Sequence, residues 1–267
     1  MYPYIHFFGR SFPSYTLMAA LGYAIVLLML RQLCRNRNDV DHTQLIHLSL
    51  AAMGGLAIGA HLLYGLVHYR VVLIAYRDHF SQLHSIADYL QFVVTLFGGM
   101  VFYGGLFGAI LGFKWYQHVV RLPTAPYLDL LALSIPLFHA FARIGCFLGG
   151  CCYGIKSSFG IIFTHLHPET ANGVSRFPVQ LLESGCNLLI FFLLLFLYHK
   201  GKMKNRLLDA YLFSYAVVRF FDEFLRGDDI RGFIGIFSVS QWISLIVLVF
   251  MIVLMFTRTH DEKDIRQ

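Results

Sequence analysis

Seven apolar runs, each close to the ~20 residues a helix needs to cross a ~30 Å hydrocarbon core, constrain this chain more than any other feature. They lie at about residues 15–30, 45–67, 89–113, 127–148, 179–198, 207–225 and 239–256. Lipid offers no partner to backbone N–H and C=O groups, so such runs cross as helices, and the period-two alternation of a membrane barrel is absent. Charged residues are 13% of the 267, against about a quarter in a soluble domain. The expectation is an all-α integral membrane protein, a seven-transmembrane-helix bundle forming a single domain over residues 1–267. The first run, ending in Arg31 and followed by Cys34 and Arg35, lacks a small-residue cleavage site and is kept as a mature span.

Seven spans put the termini on opposite sides. Twelve of the 21 Lys and Arg residues fall in segments 31–41, 114–123, 200–206 and 258–266, against seven on the other side, among them Arg70, Arg77, Arg226 and Arg231. The positive-inside rule then predicts an outside N-terminus and a cytoplasmic C-terminus. Basic residues spread over short connections serve orientation, so the net charge of +6 does not imply nucleic acid.

Glycines predict close helix approach. Gly54, Gly55 and Gly59 sit in the second run with His61, which is expected to face the bundle. The third run holds six glycines between Gly98 and Gly112, each costing about 1 kcal/mol against alanine in a helix, so close packing or a broken helix must offset them. The segment from Tyr69 to Asp88, with His79 and His84, reads as a loop with an interfacial helix; His61, His68, His79 and His84 follow no metal spacing. Pro136 predicts a kink in the fourth run. Residues 156–177 read as a polar outer loop long enough to form a lid.

Two cations remain inside the runs, Arg143 and Arg219. A buried cation in lipid costs at least ~2.5 kcal/mol, so it faces a cavity and an anionic partner. With the N-terminus outside, both arginines lie toward the outer leaflet, where a lipid phosphate is gripped bidentately. The alternative is a structural pair of Arg219 with Asp222 or Glu223.

Beside Arg143 lie three of the five cysteines, Cys146, Cys151 and Cys152. Four readings stay open for them: space-filling thiols, a disulfide, a nucleophile or base at Cys146 or Cys151, or a metal site. The Cys-x4-Cys-Cys spacing is weak for metal unless a histidine such as His139 or His165 completes it, and neither metal nor cofactor is expected.

In order and spacing, several segments resemble those of the prolipoprotein diacylglyceryl transferases: Tyr103 to Gly108, Arg143 to Gly154, Arg176 to Glu183, Arg219 to Arg226, and Ser238 to Gln241, with Tyr15 similar to the family's first-helix tyrosine. The resemblance covers nearly the whole chain. It implies a bacterial inner-membrane, multi-pass enzyme that takes diacylglyceryl from phosphatidylglycerol and attaches it to the lipobox cysteine of a prolipoprotein signal peptide, releasing glycerol phosphate. Arg143 and Arg219 would clamp the phosphate, Tyr103 would orient the ester oxygen, and Glu183 and Glu223 would position the arginines. Gly104, Gly105, Gly145 and Gly154 would permit close approach, and Tyr15, Gln180 and Arg226 would line the substrate site. Tyr103 stands where the family has histidine, Cys146 where it has asparagine, and Cys151 where it has an acidic residue. These replacements admit two further readings: a lipid-group transferase with another acceptor and thiol-assisted chemistry, and a non-catalytic phospholipid-binding or transport protein.

Overall fold

The computed structural model describes residues 2–7, 9–35, 37–77, 85–123, 125–166, 169–228 and 232–264. His79, His84, Arg231 and Arg266, used above, lie outside the described residues. Two compact units emerge, one from residues 1–37 and 125–267, the other from residues 38–124.

The second unit contains α2 (His42–Tyr76), α3 (Ile86–Phe97) and α4 (Phe102–Val120). Asp41 starts α2 by accepting from the Thr43 and Gln44 amides, satisfying two donors that the first turn leaves orphaned. The helix then runs 35 residues, past the expected end at Val67, because no glycine or proline follows before Tyr76 and the apolar Val71 to Ala75 continues it. The loop expected from Tyr69 is therefore helical as far as Tyr76. The third run is two helices bent by 96° at residues 98–101, the broken alternative. His61 holds the break: its Nδ1–H donates to Phe97 O at 2.7 Å and Gly99 O at 2.8 Å, while Val101 N donates to Ala60 O. These bonds satisfy backbone groups that a broken helix exposes.

The glycines pack α2 on α4. A Cβ on Gly55 would collide with Gly108 O, one on Gly59 with Gly104 O, and one on Gly112 with Ala51 O. Spacing of four residues in both helices produces a seam of bare backbone, which dispersion forces hold in place of side chains.

The first unit contains α1 (Ser14–Cys34), α5 (Ala125–Gly149), α6 (Val179–His199), α7 (Leu207–Asp222) and α8 (Val239–Asp264). α5 packs on α1, α6 and α7; α7 also packs on α6 and α8. Gly22 admits Phe141 between α1 and α5, and Ser184 Oγ donates to Ala140 O to join α6 to α5. Buried Asp129 near the start of α5 accepts from the Asn205 and Leu207 amides at 2.8 and 3.3 Å, fixing the turn between α6 and α7. Ser238 and Gln241 exchange side-chain-to-backbone bonds at the start of α8, a capping box.

Three two-stranded antiparallel sheets accompany the helices: β1 (Tyr4–Phe7) with β2 (Arg10–Pro13), β3 (Lys156–Ile162) with β4 (Ser175–Arg176), and β5 (Phe233–Ile234) with β6 (Phe237–Ser238). The expected polar loop at 156–177 thus contains a hairpin with its own core, in which Tyr153, Phe163, Leu166 and Ala171 are buried and Phe147 packs against them. Arg176 braces it, lying 4.5 Å over the Tyr153 ring and donating to Ala171 O and Gly154 O.

By length and composition, α1, α2, α5 (from Tyr127) and α6 are able to cross a membrane, and α3 with α4 makes a fifth if the bent pair is one span. This is a mostly helical, multi-pass membrane protein. Four or five spans rather than seven pass that test among the described residues, because α7 has only 16 residues and α8 is apolar only over Val239–Met255.

Candidate functional site

Three helices each turn one polar face to the same point. On α5, His139, Arg143 and Cys146 follow at helical spacing; on α6, Gln180, Glu183 and Asn187 do; on α7, Tyr211, Tyr215 and Arg219 do. Glu183, 1% exposed, is the centre. Its Oε2 is ion-paired with Arg143 Nη2 and lies 3.6 Å from Arg219 Nη1. Its Oε1 accepts from the Tyr215 hydroxyl at 3.2 Å and lies 3.5 Å from His139 Nε2. Arg219 also pairs with Glu223, one turn on, and donates to Ser240 Oγ at 3.3 Å.

The structure thus brings together four of the expected residues: Arg143, Arg219, Glu183 and Glu223. Arg219 does form the helical-spacing pair with Glu223 that the structural reading expected, and it meets Glu183 as well. Charges as buried as these are expensive unless paired, and even a paired set is often less stabilising than apolar side chains of the same size. Stability alone is a poor reason to keep them. The Nε of Arg143 makes no hydrogen bond among the described residues, although it is buried. One buried guanidinium donor is therefore available to a ligand.

The other expected residues support this centre or belong to the other unit. Gly145 lets α1 lie close against α5: a Cβ there would lie 3.2 Å from Tyr15 Cα and from Met18 Cβ. Gln180 donates to Cys151 O at 2.8 Å. Arg226 makes a two-bond pair with Asp228, at 3.0 and 2.6 Å, and its backbone bridges to Gly154. The space beside Gly154 is filled by Phe177 O and Leu225 O, so a side chain at this position would collide with the chain. Tyr103, Gly104 and Gly105 belong to the second unit: Tyr103 is buried beside Phe102 and Phe107, and the glycines face α2.

The thiols converge. Sγ atoms of Cys146, Cys151 and Cys152 all lie within 4.8 Å of one another. Arg143 Nη1 is 3.7 Å from Cys146 Sγ. Hydrogen bonds from Cys146 and Cys151 hold the Cys152 thiol well below the ordinary thiol range, with Arg226 and Arg143 opposing the cost of its burial. The Cys151 thiol, bonded to Cys146 and Cys152, is pushed up.

Sequence reasoning missed Tyr215, and assigned His139 only as a possible metal ligand. Both stand at four-residue spacing from the arginines, at Arg219 minus four and Arg143 minus four, and that spacing was the available signal.

Apolar helices and a buried arginine–glutamate centre define an integral membrane protein with an ionic site inside its helix bundle. The sequence model of the prolipoprotein diacylglyceryl transferase family matches residues 4–257. The chain belongs to that family. It is 32% identical over 246 residues to a phosphatidylglycerol–prolipoprotein diacylglyceryl transferase of Clostridium tetani, covering 91% of each chain. It is 31% identical over 251 residues to one of Clostridium perfringens, designated 2, covering 91% of this chain and 89% of that one. A relative of the same name from Campylobacter hominis is 32% identical over 254 residues, covering 94% and 86%.

Proposed function

We propose that this protein is a transferase of lipoprotein biosynthesis, moving diacylglyceryl from phosphatidylglycerol to the sulfur of the lipobox cysteine in a prolipoprotein signal peptide. It works in the bacterial inner membrane as a single transferase domain of seven spans, α7 and α8 completing the set, with the N-terminus outside and the C-terminus cytoplasmic. The observation that carries the reading is the convergence of Arg143 and Arg219 on one oxygen of Glu183.

That arrangement suits the chemistry. As the glyceryl C–O bond breaks, negative charge builds on the departing phosphate, and fixed cations in a water-poor site stabilise such charge far more than water does. Glu183 keeps the two guanidiniums from repelling each other before substrate arrives, and Tyr215 and His139 fix the carboxylate. Glu223 holds Arg219 from the other side. Tyr15, Gln180 and Arg226 shape the lipid site, and the hairpin over residues 156–177 meets the acceptor at the outer surface.

The test is incubation of purified protein with head-group- and acyl-labelled phosphatidylglycerol and a lipobox peptide. Acyl label on the peptide with glycerol phosphate in solution is the expected result. Glycerol phosphate without lipidated peptide points instead to another acceptor, and bound lipid without turnover to a non-catalytic role.

A further inference from the structure

We propose that Cys146, Cys151 and Cys152 form a three-thiolate site for one soft divalent cation of the zinc type, and that its open fourth position takes the acceptor thiol. The site itself stands on geometry; its use in catalysis rests on the transferase reading above.

Adjacent cysteines in extended or helical chain point apart, so the sequence spacing alone did not favour a metal. The fold overcomes this. Gly150 turns the chain at φ +75°, where a Cβ would collide with His165 O, and Cys152 follows at φ +55°, a left-handed conformation uncommon for a residue with a side chain. The turn is tied down from several directions. Cys151 N donates to Cys146 O at 3.1 Å, Gln180 holds Cys151 O from α6, and Gly227 N donates to Tyr153 O at 2.9 Å. The result is three sulfurs within 4.8 Å of one another. Zinc–sulfur bonds of ~2.3 Å in a tetrahedron place sulfurs about 3.8 Å apart, so only small rotations of the side chains separate this cluster from a ligand set.

Composition and charge agree with the assignment. Sulfur ligands select soft ions over magnesium or calcium. Three thiolates around a dication leave one negative charge, and Arg143 Nη1 stands 3.7 Å from Cys146 Sγ to receive it. Cys34 and Cys186 lie outside the cluster, so the described cysteines supply three ligands and not four. Three protein ligands with one open position is the arrangement of a reactive zinc centre; a purely structural site is closed by four.

An acceptor thiol entering the open position gives up its proton to solvent on coordination. The bound thiolate attacks the glyceryl carbon that carries the phosphate ester. The carbon–sulfur bond forms as the carbon–oxygen bond breaks, and the electron pair departs on the phosphate oxygen of glycerol phosphate, toward Arg143 and Arg219. The product thioether is neutral and a weaker ligand, so it leaves the ion. No oxidant or reductant is needed.

The experiment uses the full-length protein in detergent with a phosphine reductant, titrated with Co2+ and then competed with Zn2+. Expected is one equivalent bound per chain, with sulfur-to-cobalt charge-transfer absorption, and three of the five thiols protected from alkylation. Cys151→Ser and Cys152→Ser weaken binding at least tenfold each, while Cys186→Ser leaves it unchanged and controls for folding. Absence of the charge-transfer band, a band indifferent to Cys151→Ser and Cys152→Ser, or a disulfide among the three thiols of protein as isolated overturns the site. Adding lipobox peptide to the cobalt protein strengthens the band, and a peptide with serine for the lipobox cysteine does not. An unchanged band, or undiminished transfer by metal-free protein, overturns the acceptor role alone. Loss of transfer in protein that still binds cobalt and peptide counts against the transferase reading and leaves the metal site standing.

Discussion

The hydroxyl of Tyr215 donates a 3.2 Å hydrogen bond to Oε1 of Glu183, whose other oxygen takes both Arg143 and Arg219. The tyrosine therefore acts on the arginines through the carboxylate, as a positioning residue. Tyr215→Phe removes one bond to a charged group, and kcat/KM for transfer should fall about tenfold with little change in thermal stability. Steady-state kinetics beside a melting curve separates the two effects.

Glu183 answers two guanidiniums at once, so its loss is costlier than that of either partner. Glu183→Ala leaves two buried cations short of an anion and should destabilise the protein by about 3–5 kcal/mol, whereas Glu183→Gln, which keeps the shape and an acceptor, should cost less. Thermal unfolding in detergent ranks the variants, and equal melting points for the two would show that the charge is immaterial.

Arg143 offers a planar fork that pairs with Glu183 through one nitrogen and approaches Cys146 with another. Arg143→Lys keeps the charge but not the fork, and transfer should drop at least ~100-fold. A lysine variant with near-normal turnover would mean that point charge is sufficient.

Two adjacent glycines of α2 should respond oppositely to the same change. At Gly54 nothing lies within 4 Å of the place a methyl group would take, and Gly54→Ala should be neutral or stabilise by up to about 1 kcal/mol through helix propensity. Gly55→Ala drives a methyl into Gly108 O and should cost about 1–3 kcal/mol or more as the seam parts. Limited proteolysis of the two variants, compared at one protease concentration, reads the difference.

Much of the ionic site was legible because charge in a lipid-soluble run is conspicuous. Arg143 and Arg219 stand out against their neighbours, and the cost of burying them demands partners, whereas Glu183 was named only through the family resemblance. Tyr215 and His139 were not legible in the same way, since an aromatic ring in an apolar run reads as packing until its partner is seen. The glycine-rich third run predicted either a seam or a break, and both occur, the break at residues 98–101 and the seam along α4. The reach of α2 was hidden by Arg70 and its aromatic neighbours, whose polarity suggested a loop although nothing there stops a helix. The hairpin at 156–177 was hidden by its polar residues, because the few that matter to its shape, Phe163 and Leu166 among them, are widely spaced. Cys152 was passed over for Cys146 and Cys151, since only a left-handed residue lets neighbouring thiols meet.

The bonds of Asp129 to the turn before α7 have a further consequence. Fourteen residues separate Asp129 from Arg143, about 21 Å along α5, so α5, α6 and α7 are fastened near both extremities, by a capped turn at one and by the Glu183 ion pairs at the other. Prising these three helices apart breaks one fastening or the other. A lipid tail threading between them would therefore have to undo a capped turn or an ion pair.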